Sequence, residues 1–189
     1  MKSIVVSMSL LAATMAVSAQ IIQSRPFSIR LNSEDKSVDG QYVGACHSGA
    51  AIESLCLSSR PVTMHFNTTT NETDATGLLT WYLPGNLQVD SAMRLLTNPS
   101  SNVAPAMFYP GNFYGEHAQF DKDGHLVLLS GIDDTKDPIV ASEPKPIDCW
   151  YVCDSYVTGY RYKTLSWVYG NTGPQNPTCV KVTVTRKFD

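Results

Sequence analysis

Val180-Lys181-Val182-Thr183-Val184-Thr185-Arg186-Lys187, close to the C-terminus, alternates valine with polar side chains. In an extended chain successive side chains point to opposite faces, so Val180, Val182 and Val184 share one face and Lys181, Thr183 and Thr185 the other. A strand patterned this way closes a sheet over a core on one side only. The fold class read from this segment is therefore β, and the remainder of the chain can be tested against it.

Working back from that strand, short runs rich in β-branched and aromatic residues recur between clusters of Gly, Pro, Asn, Asp and Ser, and no stretch holds an apolar face at helical spacing beyond about two turns. Candidate strands are 27–31, 41–45, 52–57, 62–66, 78–83, 93–96, 106–109, 118–120, 126–129, 150–153, 165–169 and 180–187. Turn chemistry separates them at 32–40, at Asp121-Lys122-Asp123-Gly124 and at 170–177. A dozen short strands fit an all-β single domain, either a β-trefoil-like or related closed barrel or, alternatively, a two-sheet sandwich; the barrel is the reading adopted. The longest breaks are 67–77, 84–90, 97–105 and 131–147, the last carrying Pro138, Pro144 and Pro146 among acidic residues and expected to be an exposed loop.

Met1-Lys2 followed by an apolar run from Ile4 to Val17 and by Val17-Ser18-Ala19 has the three parts of a secretory signal, so residues 1–19 are expected to be removed and 20–189 to form one secreted domain. Ser7, Ser9 and Thr14 interrupt the run, which falls short of the roughly 20 apolar residues that span a bilayer. Removing 1–19 takes away Lys2 and no acid, leaving 13 basic against 17 acidic side chains, a net charge of −4. Nucleic acid and anionic membrane, which demand clustered Lys and Arg, are not expected partners.

All five cysteines lie beyond residue 19, and an exported chain meets an oxidising compartment. Cys46 and Cys56 are spaced to staple two strands across a short turn. Cys153 and Cys179 could pin the C-terminal hairpin, while Cys149 could compete for Cys179, stay reduced, or bridge a dimer; spacing does not choose. Two sequons, beginning at Asn67 and Asn71, sit in a Thr- and Asn-rich stretch expected to be an exposed, N-glycosylated loop.

Catalytic and metal motifs are not assembled. Cys46-His47 are neighbours whose side chains point to opposite faces of a strand, which denies the thiol its base. His47, His65, His117 and His125 are scattered without ligand spacing. Asp121 to Gly124 begins like a calcium loop, but the twelfth position is Ile132 where a bidentate Glu is needed. Glu53, Asp90, Glu116 and Asp133 are carboxylates that no motif pairs. Gln41-Tyr42-Val43-Gly44 starts like the cystatin wedge and ends wrongly, on Ala45. No catalytic residue, metal or cofactor is expected. The aromatics are richer: Tyr156, Tyr160 and Tyr162 are the candidate exposed set, and Asp133, Asp134, Lys136, Asp137, Pro138, Ile139 and Val140 the candidate binding loop, with 84–90 a second.

Three blocks carry a resemblance: Pro26 to Leu31; Gly40 to Leu57 with Cys46 and Cys56; and Trp150-Tyr151-Val152-Cys153 with Leu165 to Gly170 and Pro174-Gln175-Asn176-Pro177-Thr178-Cys179. The chain resembles a family of small secreted proteins of filamentous ascomycete fungi, similar more distantly to secreted spore and cell-wall proteins of moulds. The resemblance implies the pairing of Cys153 with Cys179 and departs from this chain at Cys149. It also implies a fungal exported protein and carries no catalytic residues over to this chain. The expected function is that of an apoplastic effector inhibiting a host extracellular protease, papain-like cysteine proteases first, with a structural wall or spore protein and a glycan binder of cell-wall polysaccharide as alternatives.

Overall fold

The computed structural model describes residues 20–72, 75–85, 89–112, 114–134 and 136–188. The expected signal segment, 1–19, lies outside them, as do residues 86–88 of the second candidate loop and Phe113. Among the described residues the strands are β1 (Ile22–Gln23), β2 (Phe27–Asn32), β3 (Tyr42–Gly49), β4 (Ile52–Ser58), β5 (His65–Thr68), β6 (Gly77–Tyr82), β7 (Asp90–Leu95) and β8 (Val103–Pro110). They continue as β9 (His117–Phe120), β10 (Leu126–Asp133), β11 (Val140–Ile147), β12 (Trp150–Val157), β13 (Tyr160–Val168), β14 (Val180–Lys181) and β15 (Thr183–Phe188). The all-β expectation holds.

The strands form one curled, half-barrel antiparallel sheet ordered β11-β10-β9-β6-β7-β8-β13-β4-β3-β2-β15, with β12 and β14 branching from β13 and the β1–β5 pair from β6. Curling follows from twist added where pairing slips. Register shifts interrupt β3 between His47 and Gly49 and β10 between Ser130 and Ile132, and such bulges bend a strand. The C-terminal strand comes round to the opposite end of the order: His125 bridges Thr185, and the Arg186 amide donates to the Gly124 carbonyl at 3.0 Å.

The concave face holds the core. Phe27 and Phe66 meet Phe120 edge-on with ring centroids 5.5 and 5.0 Å apart, the geometry that aromatic quadrupoles favour. Trp150 and Trp167 cross at 4.9 Å. Val182 and Val184 are buried as the alternation requires; Thr185, on the expected polar face, is buried too, because its hydroxyl accepts the Asn32 amide at 2.8 Å.

Two disulfides form, Cys46–Cys56 between β3 and β4 and Cys153–Cys179 between β12 and the segment before β14. Cys149 stands outside both.

Four expectations are corrected. Residues 131–147 are not a loop: the first three extend β10, and β11 occupies Val140–Ile147. Prolines 144 and 146 misled the reading, and they are tolerated because β11 ends the strand order, where a missing N–H breaks no ladder. The strand placed at 62–66 begins instead at His65, and β1, which pairs with it, was not foreseen. Asn67 therefore lies on a strand, 9% exposed, rather than in a loop. Finally, the C-terminal run is two strands: Lys181 pairs with Tyr151 of β12, whereas Thr183 pairs with Asn32 of β2, and the chain changes neighbours at Val182.

Candidate functional site

The β10–β11 hairpin is built by its own backbone. The Ser130 hydroxyl donates to the Ile132 carbonyl at 2.7 Å and accepts the Ile132 amide at 3.1 Å, which sets the bulge. Beyond it Ile132 faces Ala141, and Asp133, described in its backbone, faces Val140. The far end carries the exposed residues Lys136, Asp137, Pro138, Ile139 and Val140. Ile132, Ile139 and Val140 are 56%, 65% and 46% exposed. Asp134 is different: it is half-buried, and its Oδ2 accepts the Gly170 amide at 2.7 Å, which anchors the hairpin to the 170–177 turn.

Beside that anchor opens a cavity of about 260 Å³, walled by Leu95, Leu128, Leu129, Ile147 and Trp167. Glu116, Asp134 and Tyr169 add polar groups to the wall. The Glu116 amide donates to the Met93 carbonyl at 2.7 Å and so fixes the residue over β7. Burial pushes the Glu116 carboxyl above the usual carboxylate range, an effect that neighbouring His117 opposes. Burial also pushes the Tyr169 phenol up, and Glu116 and Asp134 push it further. Sequence reading counted Glu116 among unpaired carboxylates and missed the cavity, whose lining comes from β7, β10, β11 and β13, from Asp134 and Tyr169 just beyond β10 and β13, and from Glu116 just before β9. No local pattern announces such a convergence.

The candidate aromatics divide. Tyr160 and Tyr162 oppose Val157 and Ser155 across the β12–β13 ladder, while Tyr156 opposes Arg161; directly opposed residues share a face, so Tyr156 points away from the other two. Tyr156 is 72% exposed, Tyr160 is 39% exposed and Tyr162 is half-buried. The rings of Tyr160 and Tyr162 lie parallel, within 4°, with centroids 6.1 Å apart. The Tyr162 hydroxyl donates to the His47 carbonyl at 2.8 Å, and the His47 ring meets Tyr160 edge-on. His47 Nδ1 is 3.6 Å from Glu53, which opposes it across β3–β4 and is buried. Burial raises the Glu53 carboxyl, and His47 partly offsets this.

The other singled-out residues are structural neighbours of turns. Asp121, Asp123 and His125 bring possible ligand atoms within 4.8 Å of one another. Asp121 Oδ1, however, accepts the amides of Asp123 and His125 at 2.9 and 2.8 Å, and Oδ2 lies 3.1 Å from the His125 ring, so the group holds the β9–β10 turn. His65 contacts the Ser24 carbonyl, and His117 is exposed at the start of β9. The Asn67 side-chain oxygen accepts from Gln23 at 3.3 Å, whereas Asn71 is exposed. Of the 84–90 segment, Pro84 and Gly85 are exposed and Val89 and Asp90 half-buried.

No curated protein and no solved structure matches the chain. A family model described as a domain of unknown function, DUF7907, matches residues 24–188, which takes in β2 through β15 and every residue of the hairpin and the cavity. With that span of the chain covered, the protein belongs to the DUF7907 family.

Proposed function

We propose that the protein is a secreted, non-enzymatic binding protein that docks the β10–β11 hairpin into a cleft of another extracellular protein. Its most concrete form is a fungal apoplastic effector inhibiting a host protease, with papain-like cysteine proteases the first class to test. The observation that carries the reading is the exposure of Ile139 and Val140, 65% and 46%, at the far end of the β10–β11 hairpin. Apolar side chains collected at one projecting point mark an interaction site more often than singly scattered ones do.

Several features support the reading. Strand pairing and the Asp134–Gly170 contact hold the hairpin before any partner arrives, and a preorganised segment loses little entropy on docking. β11 lies at the end of the strand order, and an exposed edge can add to a partner's extended chain. Two disulfides are compatible with an extracellular protein. The same reading takes the sheet as a closed barrel, β-trefoil-like or related, and the His125–Thr185 bridge supports closure.

The test adds purified, oxidised protein to plant extracellular fluid and reads activity-based labelling by hydrolase class. Selective loss of the cysteine-protease signal, restored by Ile139→Glu with Val140→Glu, is expected. Normal labelling of every class at micromolar protein overturns the inhibitor reading. A second reading, glycan binding, is favoured by the parallel rings of Tyr160 and Tyr162, since flat aromatic faces suit sugar rings. Retention on wall polysaccharide that Tyr160→Ala abolishes would support it instead.

A further inference from the structure

The cavity beside the hairpin joins an apolar wall to Glu116 and Asp134, and among the described residues no Lys, Arg or His lines it. Asp134 already accepts the Gly170 amide. Glu116 is half-buried and held by its backbone bond to Met93, and its exposed chain neighbour His117 offsets only part of the effect of burial on its carboxylate. A carboxylate set in an apolar wall is costly unless a cation meets it. We infer that this cavity binds a small primary ammonium carried on a short apolar body, with Glu116 taking the charge and Leu95, Leu128, Ile147 and Trp167 taking the body.

Three considerations fix that class. The volume, about 260 Å³, admits a molecule of single-ring size and sits at the small end of ligand pockets. Charge-assisted hydrogen bonds from an ammonium to a carboxylate are among the strongest available, while an anion would meet two like charges. Trp167 and Tyr169 also line the cavity, and aromatic rings attract a cation that reaches their faces. A neutral ligand of the same shape would fill the apolar part and leave Glu116 unmatched. This inference stands apart from the docking reading; it uses the hairpin only as one wall.

The test is a titration of the oxidised protein with benzylamine, followed by amide and indole N–H chemical shifts. Saturable shifts are expected at Ile147, Gly170 and the Trp167 indole, with benzyl alcohol and benzoate each at least about tenfold weaker. Glu116→Gln, with its amide spectrum otherwise retained, is expected to weaken benzylamine by about tenfold as well. Acidifying the wild-type protein until Glu116 is protonated should weaken benzylamine and leave benzyl alcohol unchanged, a comparison that needs no variant. Equal affinity for benzylamine and benzyl alcohol, an unaffected Glu116→Gln, or shifts that never saturate would overturn the inference.

Discussion

The indole Nε1–H of Trp150 donates to the Leu126 carbonyl at 2.8 Å, a bond made entirely inside the core. It ties β12 to β10, two strands that do not pair with each other. Trp150 is fully buried and crosses Trp167 edge-on, so the same residue carries packing and polar satisfaction.

Trp150→Phe should therefore lose more than volume. Removing the donor leaves a buried carbonyl short of one bond and opens a small cavity, together about 2–4 kcal/mol. Urea unfolding read by the remaining tryptophans measures it; a loss below about 1 kcal/mol would mean that water replaces the indole.

The two disulfides should differ in their effect. Cys46–Cys56 spans 10 residues and Cys153–Cys179 spans 26. Loop-closure entropy makes the longer one worth about 1 kcal/mol more, within a range of about 2–4 kcal/mol each. Paired Cys→Ala variants compared by thermal and denaturant unfolding give the order, and the reverse order would point to native-state effects at the hairpin.

Gly77 faces Thr68 across β5–β6 and is buried. A Cβ there would lie 2.5 Å from the Asn67 carbonyl oxygen and 2.8 Å from the Thr68 methyl. Gly77→Ala should destabilise by about 1–3 kcal/mol through overpacking, and an unchanged denaturation midpoint would show that β5 can shift outward.

Glu53 should leave a mark on the pH profile. Burial raises its carboxyl above the ordinary value of 4.5 in the folded chain, so the native state keeps the proton to higher pH than the unfolded state does. The associated stability is complete below 4.5 and is lost as pH rises through the raised value. The wild-type midpoint should fall across that interval, and Glu53→Gln should flatten the profile; identical slopes would show that His47 cancels the burial effect.

Much of the fold was legible in the sequence because alternation is local. Val182 and Val184 announced a one-sided strand, and Asp121 to Gly124 announced a hairpin turn. The prolines at 144 and 146 concealed β11, since composition cannot tell an edge strand from a loop until its neighbours are known. The site was less legible for the same reason. Cys46 and His47 were tested together as chain neighbours, yet the partner of His47 is Glu53, which only the β3–β4 register brings opposite it. Ile139 and Val140 fell within the expected binding segment, whereas Tyr169 and Glu116 meet only after the sheet curls.

The change of neighbours at Val182 sets how the chain would respond to force on its C-terminus. Pulled from Phe188, β15 would unzip from β2 one pair at a time, from Phe27 towards Asn32. The tear would then reach β14, which is held to a different strand and lies next to Cys179, covalently fastened to Cys153. Peeling stops at that rivet, and a protein frayed along the six residues of β15 keeps the rest of its sheet under lock.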